Sequence, residues 1–369
     1  MKYFVPCLLI FIIIAFLFPA QAHAEDAVHA AAELFGTDTA DEALTEDARE
    51  ISGALEADGT YDAPGALERL FARAIDRLSQ ELRNNVQSVL SIVAIALCTA
   101  LAGAMTGDKG IQGYISIAGV CGAAAMLFDG VNGLVSQTAQ ALTQMSDYSR
   151  AALPAVFSAA AACGAFTAAS ARYAAVCVAI DVLMSAAQKF IIPLVYAFLA
   201  LSLSVSLFDN SIIKACQRLT KWVATTFMTL FTIIFSGYIG LTGIVTSGVD
   251  AVAARTARTV ISATLPVVGG IISDAAATVL AAARLIKNSS GALSLVAVCA
   301  LSMGAFIMLS VKLLLFRAAA AACDMAGNAK LSAFINDIGT ALGILLGLVG
   351  CCAIMLFISF TSAIRVAAA

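Results

Sequence analysis

Residues 86–106 read VQSVLSIVAIALCTALAGAMT, a run without a single Asp, Glu, Lys or Arg. Wound as a helix at about 1.5 Å per residue, a run of this length covers a hydrocarbon core of about 30 Å. No water is available there to satisfy peptide groups, so the segment must close its hydrogen bonds within itself as a helix. Similar runs follow at 111–135, 153–171, 173–188, 190–208, 222–247, 292–316 and 338–363. The expected fold class is therefore all-α, a polytopic helical membrane protein of seven or eight spans. Residues 153–208 hold the ambiguity, because Ala-rich helices insert weakly and Lys189 and Pro193 interrupt the run; one short span and one long broken span fit there too.

Composition points the same way. Of 369 residues, 61% are hydrophobic and 12% charged, about half the roughly 25% charged fraction of soluble domains. The chain opens with Lys2, an apolar stretch from Val5 to Phe18, and the small-residue site Ala22-His23-Ala24. That order is the order of a secretory signal, so residues 1–24 read as a signal peptide and Glu25 as the first mature residue. An uncleaved anchor is the alternative.

Charge marks the next boundary. Residues 25–90 carry 15 acidic and 5 basic side chains, whereas residues 91–369 carry 9 acidic and 15 basic ones. An acidic exported helical head, 25–85, thus precedes a mildly basic membrane domain, 86–369. Within the head, Leu67, Leu70, Phe71, Ile75, Leu78 and Leu82 fall on one helical stripe that needs a partner surface or the membrane interface. With an even number of spans, the cluster Lys214, Arg218 and Lys221 faces the cytoplasm together with Arg172, Arg317 and Lys330, as the positive-inside tendency favours.

Between spans, residues 248–290 form two amphipathic stripes that meet at Pro266, each too polar to cross a membrane and too apolar to leave it. They are expected to be interfacial or re-entrant helices.

The chemistry of catalysis is sparse. Once the signal is removed, His29 is the only histidine left, which excludes a histidine base or a histidine metal cluster in the membrane. There is no nucleotide-binding or zinc-protease motif, and the ten cysteines sit mostly in apolar runs without C-x-x-C spacing. No enzyme activity, cofactor, metal or nucleic-acid partner is expected. What remains are ionisable residues at apolar depth: Asp129, Asp181, Lys189, Asp209 and Lys312. Such residues face a protein interior or a wet cavity, because a charge at the bilayer centre costs about 2.5–3.5 kcal/mol on insertion scales. Asp181, Lys189 and Asp129 are the candidates for a polar path or a structural pair. Gly339, Gly343 and Gly347 leave one face of the last span bare, a candidate surface for helix packing within the chain or for a homo-oligomer.

The stretch from Arg255 to Asn288, RTARTVISATLPVVGGIISDAAATVLAAARLIKN, resembles the stage III sporulation protein AE family. The most specific piece is Leu265, Pro266, Val267, Val268, Gly269 and Gly270, followed by Ser273 and Asp274. The resemblance implies a subunit of a channel complex, the feeding tube, that links mother cell and forespore, lying in the outer forespore membrane. The implied partners, besides the lipid bilayer, are other stage III sporulation proteins, including an ATPase and ring-forming exported subunits. It implies no catalytic residues. The competing expectation is a self-sufficient transporter that uses the midplane charges.

Overall fold

The computed structural model describes residues 42–53, 61–106, 109–162, 166–208, 210–264 and 269–365. Residues 1–41, which hold the expected signal peptide and the start of the expected head, Asp209 and the segment 265–268 with Pro266, Val267 and Val268 lie outside them. Every element among the described residues is helical.

The first helix, α1 (Glu46–Ser52), is short and capped at both ends. Thr45 accepts a hydrogen bond from the Ala48 amide at its N-terminus, and Glu46 and Asp47 occupy the first turn, where the helix dipole favours negative charge. Gly53 ends it with φ +70°, a left-handed conformation that glycine adopts freely. Helix α2 (Ala63–Ala104) starts on Asp62, whose side chain accepts from the Gly65 amide, with Pro64 in the first turn. It then runs unbroken through residue 85. The head and the first span therefore share one helix, because nothing between Arg83 and Leu90 can stop it.

Helix α3 (Lys109–Ala162) returns antiparallel to α2 and contains Pro154. Helix α4 (Phe166–Ala186), a π-helical turn (Ala187–Ile191) and α5 (Ile192–Phe208) form one continuous run. Here the structure departs from the expected spans. Residues 173–188 and 190–208 belong to a single pass, and residues 153–171 are divided between the end of α3 and the start of α4. Pro193 has no N–H to offer the carbonyl of Lys189, and the backbone answers with a widened π turn instead of a break. Helices α6 (Ser211–Thr264), α7 (Gly269–Met325) and α8 (Ala329–Arg365) complete the bundle. The two amphipathic stripes are the distal parts of α6 and α7 and are continuous with the spans that precede and follow them.

Among the described residues, six helical stretches are long and apolar enough to cross a membrane: Ala63–Ala104, Gly110–Ala159, Val176–Phe208, Ser211–Gly237, Asn288–Met325 and Ala329–Ile364. The described residues thus hold six membrane-length helices where the apolar runs suggest seven or eight spans. The α7–α8 hairpin is the core, with 72% of each apolar window buried against 12% for α2 and 17% for α6. Leu309, Leu331, Ile335, Leu342 and Phe360 are among its buried side chains.

Contacts fix the ends of the bundle. Arg317 meets Asn336 near one end, where Gln217 also reaches Asp337. At the other end Tyr148 packs on Phe360, with ring centroids 6.3 Å apart, and Ile364 lies against Gly291. Lys214, Arg218, Lys221, Arg317 and Lys330 gather at the first end. Arg172 does not join them: its neighbour Tyr173 packs on Phe157 where α3 gives way to α4, at the opposite end. The chain reverses between α3 and α4, one segment earlier than the apolar runs suggest.

Candidate functional site: polar contacts across the bundle

Polar side chains inside an apolar bundle need partners, because each unsatisfied buried group costs about 1–3 kcal/mol. The partners chosen show which helices are tied to which.

Asp181 projects from α4 and accepts from the Arg150 guanidinium of α3 at 2.5 Å. Both side chains are exposed, at 58% and 62%, which places the pair on the outer surface near the end of the bundle and away from its interior. Val178 and Val182, on the same face, are exposed as well. Lys189 lies in the π turn and Asp129 on α3, both exposed. The three candidate residues of the sequence are thus not brought together: Asp181 has its own cation, and neither Lys189 nor Asp129 contributes to that pair. Lys312, half-buried on α7, has the Glu81 carboxylate of α2 within electrostatic reach.

The interior acid is one that the sequence did not single out. Asp337, on α8, accepts from Ser202 Oγ of α5 at 2.8 Å and from Gln217 Nε2 of α6 at 2.6 Å, both on the same carboxylate oxygen. Ser202 and Gln217 are buried. One side chain therefore clasps three helices. Asp337 escapes notice in the sequence because Asn336-Asp337 looks like the polar edge of the last span. The available signal was on the other side, in Ser202 and Ser206, one turn apart and both buried within a largely apolar helix.

A second tie joins α2 to the α7–α8 turn. Gly327 turns the chain with φ +84°, and Asn328 caps α8 by accepting from the Leu331 amide at 3.2 Å. The Asn328 amide group donates to Thr99 Oγ1 at 2.9 Å.

Gly339, Gly343 and Gly347 face side chains or open space and are not closed over by another backbone. A Cβ on Gly339 would come 3.6 Å from the Arg317 side chain, one on Gly347 would meet Met228 at 3.7 Å, and one on Gly343 would meet nothing within 4 Å. Of the family-like motif, Gly269, Gly270 and Asp274 open α7, about 33 Å of helical rise before the level of Gly291 at 1.5 Å per residue.

No group of three or more His, Cys, Asp or Glu able to hold a metal occurs among the described residues. The arrangement consists of long apolar helices around a buried hairpin, tied by isolated polar clasps, with cations collected at one end. It defines a multi-spanning helical membrane protein.

The chain belongs to the stage III sporulation protein AE family, whose model matches residues 59–368. It is similar to the stage III sporulation protein AE of Bacillus subtilis (strain 168), with 25% identity over 175 residues, covering 47% of this chain and 44% of that one. The chain thus matches less than half the length of that relative. No solved structure matches it.

Proposed function

We propose that this protein is a non-enzymatic membrane subunit of a sporulation-specific, secretion-like channel complex joining mother cell and forespore, seated in the outer forespore membrane. The observation that carries the reading is the family match over residues 59–368, which adds a sporulation role to a bundle with six membrane-length helices. The energy source and the ring of the apparatus would come from partner chains: an ATPase on the cytoplasmic side and exported ring-forming subunits on the other. The cation-rich end, with Lys214, Arg218, Lys221 and Lys330, is the end that the positive-inside tendency assigns to the cytoplasm.

The test is deletion of the gene in an endospore former, with localisation of a tagged copy and affinity purification from sporulating cells. Arrest of forespore development after engulfment, signal confined to the membrane around the forespore, and co-purification of ring subunits and the ATPase are expected. Normal spores, or purification of the chain without partners, would overturn the proposal. The alternative, a self-sufficient permease, requires solute transport by the purified chain alone in vesicles.

A further inference from the structure

Three apolar runs stop at one plane. Arg317 directly follows the run 292–316, Lys221 directly precedes 222–247, and Asp337 directly precedes 338–363. These ends are packed together: Arg317 donates to Asn336, and Gln217, one turn before Lys221, donates to Asp337. Trp222, the single tryptophan of the chain, is exposed at the same height together with Leu219. Apolar surface that ends on three packed helices beside an outward tryptophan marks the level of lipid headgroups.

Cations collect on that plane around one helix. Lys214, Arg218 and Lys221, four and three residues apart, form one exposed stripe of α6. On the adjoining strip of α6, Gln217, Ala224 and Met228 are buried, with Gln217 and Met228 reaching α8, and beyond them Phe227 packs on Phe190. The basic stripe therefore stands on the flank of α6 turned away from Phe190, over the outer face of α8. Arg317 of α7 borders the same face from the other side. The acids of these helices leave the cations available: Asp337 accepts from Ser202 and Gln217, and Asp324 lies about 10 Å of rise beyond Arg317, on the side of Lys330.

Below the cations, the face of α8 is bare. A Cβ on Gly339 or Gly350 would approach Arg317 or Phe306 of α7, one on Gly347 would approach Met228 of α6, and one on Gly343 between these walls would meet nothing within 4 Å. From Gly339 to Gly350 the shallow groove runs about 16 Å of helical rise, the depth of one leaflet of a hydrocarbon core of about 30 Å.

We infer that this end of the bundle binds an acidic phospholipid, its phosphate held between the basic stripe of α6 and Arg317 of α7, and one acyl chain lying along the bare face of α8. Charge complementarity selects the headgroup, since clustered basic residues at a membrane edge attract acidic lipids and an arginine fork matches phosphate oxygens. Depth selects a lipid over a soluble phosphate, since the cations begin where three apolar runs end and the groove beneath them is one leaflet deep. A lipid seated there bridges α6 and α7 across α8.

Trp222 supplies the readout. The purified chain is reconstituted in mixed phosphatidylcholine and phosphatidylglycerol bilayers, with one lipid or the other brominated on its acyl chains, and quenching of Trp222 reports which lipid sits beside it. A preference for phosphatidylglycerol of at least about threefold is expected. Arg218→Gln with Lys221→Gln should remove most of it, Gly343→Leu should at least halve it by filling the groove without altering charge, and Lys189→Gln, in the π turn, should leave it unchanged. Equal quenching by the two lipids, or a preference indifferent to the Arg218 and Lys221 changes, would overturn the site and leave the cations to the acids of a partner protein. A preference untouched by Gly343→Leu would overturn the acyl seat on α8. Millimolar glycerol phosphate in the aqueous phase should not compete, and competition would overturn the lipid in favour of a soluble phosphate. If the glutamine variants do not insert, the parental chain decides: its preference should fall at least twofold between about 0.1 and 1 M KCl, as screening shortens the reach of the cations, and an unchanged preference would overturn the site.

Discussion

Asn328 hydrogen-bonds Thr99 across 2.9 Å, and this places the middle of the first apolar run beside the turn that ends α7. The middle of the 292–316 run, Gly304, lies against Arg77 of α2. Helices α2 and α7 run parallel, so their apolar runs are displaced by the distance from Arg77 to Ala96, about 28 Å of rise at 1.5 Å per residue. That is close to the thickness of one hydrocarbon core, about 30 Å. The surface of α2 makes up the difference: Phe71, Ile75, Leu78 and Leu82 are exposed at the level of α7's apolar run, and Leu90, Leu97 and Leu101 continue the stripe.

The first prediction follows from this displacement. Membrane contact on α2 should begin near Phe71 and not at residue 86. In a chain without reactive cysteines, Phe71→Cys, Ile75→Cys and Leu82→Cys should resist an aqueous maleimide in native membranes, whereas Asp76→Cys and Arg83→Cys should react. Rapid labelling of all five would return the boundary to residue 86.

The Asn328 contact itself can be weighed. Asn328→Ala removes a helix cap and the donor to Thr99, a combined loss of about 1–3 kcal/mol. Thr99→Val should cost about 1 kcal/mol and, combined with Asn328→Ala, add little further. Reversible unfolding in mixed micelles measures all three variants; full additivity would show that the hydrogen bond is energetically idle.

Asp337 should matter more than Asp181. Asp337→Ala leaves Ser202 and Gln217 buried without their acceptor, so a loss of about 2–4 kcal/mol is expected, while Asp337→Asn keeps an acceptor and should lose less than half of that. Limited proteolysis at the α5–α6 turn, near Asn210, should report the loosening in the alanine variant first. Equal stability of both variants and the parent chain would show that the clasp does not hold the three helices.

The comparison of these two acids shows what the sequence could reveal and what it could not. Helicity and the places of most apolar runs were legible, since the polarity of a run is a local property; the runs at 86–106, 222–247, 292–316 and 338–363 each lie mainly on a membrane-length helix, whereas the division of residues 153–208 was not legible. Depth within the bundle was not legible. Asp181 has apolar neighbours on both sides, yet Val178 and Val182 share its exposed face, because in a membrane protein the outside is as apolar as the inside. The partners of Asp337 stand 135 and 120 residues away, beyond any local pattern. The register between α2 and α7 was hidden for the same reason, as two uniformly apolar helices carry no mark of how far one has slid along the other.

Asp181→Asn is accordingly expected to be mild. An ion pair with both members more than half exposed contributes about 0–1 kcal/mol. The variant should accumulate to parental levels and support sporulation within about twofold, on the reading that the exposed pair is structural. Normal accumulation with a loss of forespore development exceeding tenfold would instead assign Asp181 a role in the apparatus itself.

The helix glycines separate by what surrounds them. At Gly343 a Cβ meets nothing within 4 Å, so Gly343→Ala should be neutral or stabilise the chain by up to about 1 kcal/mol, because glycine inside a helix costs backbone entropy. At Gly291 a Cβ would strike the Ile364 side chain, so Gly291→Ala forces the α7–α8 ends apart and should cost about 1–3 kcal/mol. The double variant Gly291→Ala with Ile364→Val should recover part of that loss, since the clashing atoms include the Ile364 Cδ1 that valine lacks. Detergent unfolding measures these effects on the isolated chain, and analytical ultracentrifugation then isolates association. If Gly343→Leu leaves the fold intact but abolishes a dimer, the bare face of α8 is a contact between chains; if Gly343→Leu behaves like Gly343→Ala in both measurements, that face meets only lipid.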